Sequence, residues 1–131
     1  MHRERFTVET DERLTTVDVT TQVEAAIPDD ATGLCTVSVQ HTTAGVVIQE
    51  AESGLRSDIV TFLDGLVGDE GWQHNRIDDN ADSHLRATVL GSNETVPVED
   101  GALVLGTWQS LLFVECDGPR TRTVVVTLLT E

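Results

Sequence analysis

The chain is 131 residues long and sets 8 basic against 23 acidic side chains, a formal net charge of −15. So negative a surface disfavours nucleic-acid and anionic-membrane partners. The length fits one domain of the usual range, about 50–250 residues, and a hydrophobic share of 39% excludes a largely disordered chain.

Phe6 and Val8 alternate with polar neighbours, as in a half-buried edge strand. Leu14 to Val19 continues extended. Thr21 and Glu24 then have the spacing of a capping box, whose side chains satisfy free amides at a helix start. Val19, Val23 and Ile27 recur one turn apart until Pro28 stops this short helix. Cys35, Val37 and Val39 alternate with Thr36, Ser38 and Gln40, and Val46 to Ile48 forms the next β-branched run. From Ser53 the period becomes helical. Leu55, Ile59, Phe62, Leu63, Leu66 and Val67 make one stripe, Arg56, Asp58 and Asp64 face away, and Gly68 closes the helix.

After a polar loop, Asp69 to Asn80, five strands are expected: Leu85–Leu90, Thr95–Val98, Ala102–Leu105, Leu111–Cys116 and Thr123–Leu129. Asp100-Gly101 and Asp117-Gly118 mark turns between them, the former a tight hairpin. Two main helices interrupting many short strands imply an α+β fold, a largely antiparallel sheet or sandwich, in a single domain over residues 1–131. The two cysteines, Cys35 and Cys116, lie in apolar runs, too few for a disulfide framework. With no leader-like segment or membrane-length apolar run, the expected location is the cytoplasm.

Three histidines draw attention. His41 ends a strand, and His74 and His84 bracket a polar segment containing Asp78, Asp79 and Asp82. Three neutral imidazoles leave a fourth position open, as catalytic zinc requires, with an aspartate to orient a ring or meet a hard cation. No His-x-x-His motif supports the spacing, so surface or hydrogen-bonding histidines are the competing reading. Thr42 and Thr43, beside His41 and Gly45, suit an anionic oxygen or a plain turn. Arg120, after Asp117-Gly118-Pro119, is a phosphate donor or a salt-bridge partner. Trp108 reads as core packing or a pocket wall, and Glu50 as a ligand, a base or a solvated side chain near a helix start.

These residues fall in strings that resemble the YjbQ family, also called the UPF0047 or secondary thiamine-phosphate synthase family. The strings are Gln40-His41-Thr42-Thr43-Ala44, Asp78-Asp79-Asn80, His84 through Ser92, Val96-Pro97-Val98, Asp100-Gly101, Leu105 through Gln109 and Asp117 through Arg120, in family order over nearly the whole chain. The segment Gln49-Glu50-Ala51-Glu52-Ser53 departs from the family pattern and retains only the Glu in place. The resemblance implies a YjbQ-like α+β homotrimer with a histidine-rich site near subunit boundaries. His41, His74 and His84 match the family histidines as metal or anion ligands. The implied activity joins hydroxymethylpyrimidine diphosphate to thiazole phosphate. His41, His84, Glu50, Asp79 and Arg120 are then the candidate catalytic set, and Thr42, Thr43, Trp108 and Arg120 the substrate contacts. The implied cofactor is a divalent metal, zinc at the histidines or magnesium with the diphosphate. The alternative is a non-catalytic trimeric module that binds a metal or a small anion.

Every basic residue is arginine: Arg3, Arg5, Arg13, Arg56, Arg76, Arg86, Arg120 and Arg122. An acidic, lysine-free surface reads as salt-adapted. Like-charge repulsion loosens a compact state in dilute buffer, and the screening length shrinks to about 3 Å at 1 M salt. The melting temperature followed by circular dichroism should therefore rise from dilute buffer to molar KCl, and an unchanged value would remove this reading.

Overall fold

Side-chain alternation decides which face each strand buries. In β3 (Gly33–Val39) Cys35, Val37 and Val39 point inward, and their register partners on β8 (Thr121–Thr130) are Leu128, Val126 and Val124. The computed structural model describes residues 1–131. Its remaining strands are β1 (His2–Glu9), β2 (Thr15–Asp18), β4 (Ala44–Gln49), β5 (Asn93–Glu99), β6 (Ala102–Leu103) and β7 (Ser110–Glu115). The helices are α1 (Thr20–Ala25), α2 (Ser53–Leu66) and α3 (Ala81–Leu90), with a short 3-10 turn at Gln73–Arg76.

Strands β1-β8-β3-β5-β6 form one sheet and β2-β7-β4 a second, and every pairing is antiparallel. The α+β sandwich expected from sequence is the observed class. Between the sheets lies a cluster of 18 buried apolar residues, including Val8, Val37, Val96, Val126, Val46, Leu111 and Phe113. Strand β7 is buried on both faces. Leu111 and Phe113 belong to the inter-sheet cluster, whereas Val114 and Cys116 pack with Leu63 of α2 and touch Ile59 and Leu90. The layers are thus the five-stranded sheet, the three-stranded sheet and the pair α2 and α3, which explains the unbroken apolar run at Leu111–Val114. The Asp100-Gly101 hairpin turn is present, with φ of 50° and 82°. No helix is long and apolar enough to cross a membrane, and both cysteines are buried and free.

Several expectations need correction. Leu85–Leu90 is the second half of α3, so the molecule has a third helix where a strand was expected. Its β-branched residues suit a strand, but Asp82 and Arg86 lie one turn apart and bond at 2.7 Å, and buried Ala81 and Ala87 give the helix its inner face. Gly91 follows it with φ 86°. Helix α1 starts without a capping box. Val19 is its N-cap with no side-chain cap bond, and Asp18 Oδ1 instead accepts the Thr20 amide at 3.0 Å and the Thr20 hydroxyl at 2.6 Å. On α2, Phe62 and Leu66 are exposed and Arg56 turns inward, donating through Nε to Thr16 Oγ1 at 2.9 Å and through Nη2 to Thr16 O at 2.7 Å.

Arg86 holds α2 and α3 together. Its Nη1 donates to Asp82, and its other nitrogens donate to the carbonyls of Leu63 (2.7 Å), Val67 (2.8 Å) and Asp64 (3.2 Å). The last carbonyls of a helix lack intrahelical partners, and a cation there satisfies them and complements the helix dipole. Arg13 adds a fork to Asp82 at 2.9 and 3.0 Å. Hydrogen bonds from Arg13, working against burial, and then from Arg86 hold the Asp82 carboxyl down to about 2, below its ordinary 3.8. Because this carboxyl is depressed in the fold, its contribution is complete above the ordinary value and disappears as pH falls toward 2. Arg86→Ala leaves Asp82 with only the half-exposed Arg13 and is expected to cost about 3–5 kcal/mol in urea unfolding. Asp82→Asn should flatten the acid limb of the stability profile measured by the same method.

Candidate functional site

The end of α3 sits directly on β4. A Cβ built on Gly45 would lie 2.6 Å from the Gly91 carbonyl and 2.8 Å from Leu90 Cβ, so only glycine permits this approach. The Val39 amide donates to Ser92 O at 2.7 Å and the Val46 amide to Gly91 O at 3.2 Å. These contacts lay the His41–Thr43 loop, between β3 and β4, alongside α3. A second turn closes the space. Gly118 packs so tightly that a Cβ would fall 2.2 Å from Glu12 O, which pins the turn carrying Asp117 and Arg120. Together these segments enclose a cleft of about 880 Å³ lined by His41, Thr42, His84, Asp117, Arg120 and Arg122, among others.

Arg122, on β8, is 4% exposed. Its Nε donates to Glu115 Oε1 at 2.8 Å, and its Nη2 donates to Glu115 Oε2 and to Thr43 Oγ1 at 2.8 Å. Glu115 also accepts from the Thr10 hydroxyl at 2.8 Å and the Asp117 amide at 3.0 Å. Burial alone would push the Glu115 carboxyl up, but the bonds from Arg122, Asp117 and Thr10 outweigh it and hold the carboxyl below its ordinary value. Every sealed side-chain polar atom in the molecule has a partner. Arg122 Nη1 makes no protein hydrogen bond, so it is open, and the space beside Arg122 is the cleft. A fixed, charged donor therefore faces a cavity with its hydrogen-bonding capacity unspent.

His41 is fixed differently. Its Nε2 accepts the Thr123 backbone amide at 2.8 Å. A neutral imidazole has one acceptor nitrogen and one donor nitrogen, so Nδ1 carries the hydrogen. Burial first, then the nearby Arg122 cation, lowers the pKa of His41 and keeps the ring neutral. What His41 offers is one N–H donor. Its lone pair is already in use, which removes it both as a metal ligand and as a base.

The remaining polar groups form one chain. Arg120 donates through Nη2 to Asp117 Oδ2 at 3.1 Å and through Nε to the Asp117 carbonyl at 2.8 Å. Asn80 Nδ2 donates to the same Asp117 oxygen at 2.8 Å. That bond orients the amide, so Asn80 Oδ1 accepts from His74 Nε2 at 3.1 Å. The His74 ring meets His84 edge-to-face, with centroids 4.7 Å apart. His84 lines the cleft with no hydrogen bond to its ring nitrogens, and His74 stands behind it.

The structure thus brings His41, His84, Arg120, Thr42 and Thr43 to one cleft. Thr43 is buried and holds Arg122, so its hydroxyl serves the protein, whereas Thr42 is exposed. Asp79 lines a separate hollow with Arg13, Asp69 and Asn75. Glu50, beyond the end of β4, lies outside the cleft lining. Trp108 is 73% exposed, neither core nor cleft wall, in a loop closed by the Gly106 amide donating to Gln109 Oε1 at 2.8 Å. No three His, Cys, Asp or Glu side chains are grouped to hold a metal ion, and the committed lone pair of His41 is the chemical reason the three histidines do not form one zinc-ligand set within a chain. Arg122 and Glu115 were missed as site residues. The available signal was Glu115 itself, a lone carboxylate in an apolar strand that must find a buried cation.

The chain matches the family model described as UPF0047 protein YjbQ-like over residues 4–131. A UPF0047 protein of Archaeoglobus fulgidus is 49% identical over 125 residues, 95% of this chain and 98% of that one. The crystal structure of a hypothetical protein from Aeropyrum pernix K1 superposes with a TM-score of 0.95 at 47% identity, covering 100% of both chains. A YbjQ-like protein of unknown function from Sulfolobus solfataricus gives 0.91 at 41% identity, covering 99% of this chain and 97% of that one.

The bond from Thr123 makes a directly observable prediction. Nitrogen-15 spectra at neutral pH should show His41 as the Nδ1–H tautomer, titrating below the ordinary imidazole value of 6.5. Folding favours the neutral ring here, so the associated stability is full above 6.5 and is lost as pH falls. An Nε2–H tautomer would contradict the assignment.

Proposed function

The chain belongs to the YjbQ-like UPF0047 family, and on that premise we propose that its cleft holds the phosphate groups of a small substrate and carries a thiamine-phosphate-synthase-like coupling. The observation that carries this reading is the open Nη1 of buried Arg122 in a cleft shared with the neutral donor His41 and the half-exposed Arg120.

In this coupling the thiazole nitrogen attacks the methylene carbon of hydroxymethylpyrimidine diphosphate. A C–N bond forms, the C–O bond breaks, and its electron pair leaves with pyrophosphate, giving thiamine phosphate. Negative charge grows on the leaving diphosphate as the C–O bond stretches. Donors already fixed by the protein stabilise that charge without reorganising. Arg122 qualifies because Glu115 and Thr43 lock its other nitrogens, and His41 qualifies because Thr123 locks its ring. Thr42 is the exposed hydroxyl beside them. Magnesium enters this reading as the cation accompanying the diphosphate, whose charge it masks. Asp78 is the cleft carboxylate outside every ion pair and the side chain available to it.

The second reading is a binding module without turnover. It is favoured by the same His41 bond, which removes one candidate base from the cleft. Assembly as a homotrimer belongs to the proposal as well, supported by the apolar surface that Phe62 (63% exposed) and Val89 (67%) leave uncovered on one chain. A cytoplasmic location fits the two free, buried thiols. Sedimentation equilibrium tests the trimer.

Pyrophosphate titrated calorimetrically into the wild type should bind, and Arg120→Ala should weaken it about tenfold with an unchanged melting temperature, since this arginine is half exposed. Coupling of the two phosphorylated substrates, with and without magnesium, is followed by chromatography on the same samples and on His84→Ala. Absence of pyrophosphate binding overturns the anion site, and binding without coupling selects the module.

A further inference from the structure

We infer that the cleft continues past His84 into a hollow that seats the flat ring of the phosphorylated ligand; this rests on the anion reading of the cleft. A second hollow, of about 320 Å³, is lined by Trp72, Gln73, His74, Ala81, His84 and Leu85. His84 lines both spaces. Along α3 the hollow takes Ala81, His84 and Leu85, and the cleft takes His84, Ala87 and Thr88. Residues three and four apart share a helix face, so the two spaces are neighbours on one face and His84 is their common wall.

The chemistry of the two halves differs. The cleft presents arginines, hydroxyls and an N–H donor, whereas no acidic or arginine side chain lines the hollow. Two polar atoms of its aromatic walls are already spent. Trp72 Nε1 donates to Gly68 O at 2.7 Å, which fixes the indole while leaving 42% of the residue exposed. His74 Nε2 donates to Asn80, and its ring stands at 77° to that of His84. The ring faces and edges of Trp72, His74 and His84 remain, with unbonded histidine nitrogens and the Gln73 amide among them and the aliphatic side chains of Ala81 and Leu85 beside them. Such walls favour a planar, polarisable group by stacking and edge contacts, and they offer little to a charged or strongly hydrated one. With the phosphate held in the cleft, the ring attached to it reaches the apolar hollow that shares His84 as a wall.

The test uses the Trp108→Phe protein, which leaves Trp72 as the only tryptophan, and reads its emission together with calorimetric affinity. The probes are inorganic phosphate, hexyl phosphate and the series phenyl, benzyl and 2-phenylethyl phosphate, which varies the reach between ring and anion. At least one aryl ester should bind about tenfold more tightly than both other probes and shift the Trp72 emission. Trp72→Ala should abolish that preference and leave inorganic phosphate affinity unchanged. Equal affinity for aryl and hexyl esters, or a preference that survives Trp72→Ala, overturns the ring subsite while the anion site stands. Failure of inorganic phosphate and every ester to bind overturns the anion site and the ring subsite together.

Discussion

A carboxylate and a guanidinium sealed between two β-sheets govern both the fold and the chemistry of this molecule. Glu115 ends β7 of the three-stranded sheet, and Arg122 is the second residue of β8 in the five-stranded one. Taking both charges out of water costs several kcal/mol per ion and is offset only when the remaining lone pairs and protons are satisfied. Here Thr10, the Asp117 amide and Thr43 satisfy all of them except two protons. Both are on Arg122 Nη1, which borders the cleft. The pair that joins the sheets at this end therefore also supplies the strongest fixed donor of the cavity.

The second buried pair, Asp82 with Arg86, does for the helices what the first does for the sheets. It fastens the end of α2 to α3 through three backbone carbonyls, and α3 in turn carries His84 to the cleft. Gly45 makes the docking close enough to matter. The position of His84 relative to His41 is thus a consequence of helix capping and of one missing side chain.

Charge works on two scales in this chain. A net charge of −15 repels an anionic ligand at long range, yet Arg13, Arg86, Arg120 and Arg122 are all paired around α3 and the cleft. Salt screens exposed charges far more than buried ones. High ionic strength consequently removes much of the repulsion from the acidic surface while leaving the Arg122 donor nearly intact. The same screening favours the compact state and, on the proposed reading of the cleft, anion capture.

Local pattern was enough to establish much of the architecture. Period-two alternation at Cys35–Val39, the apolar run at Leu111–Val114 and the Asp100-Gly101 turn are properties of neighbouring residues, and the β-sandwich follows from them. The ordered strings from Gln40 to Arg120 likewise carried the family and brought His41, His84 and Arg120 into view. Tertiary structure decided what depends on residues far apart in the chain. Leu85–Leu90 has strand-like side chains but is helical because Asp82 and Arg86 pair across one turn and Arg86 reaches back to α2. Trp108 has the composition of a core residue but sits on a loop that turns outward. Arg122 outranks Arg120 because its partner, seven residues away, is buried on another sheet. His41 is a donor because the amide that meets it lies 82 residues further along the chain. Periodicity and motif order are local and survive in one dimension, whereas burial, pairing and tautomer are set by contacts that exist only once the sheets have closed.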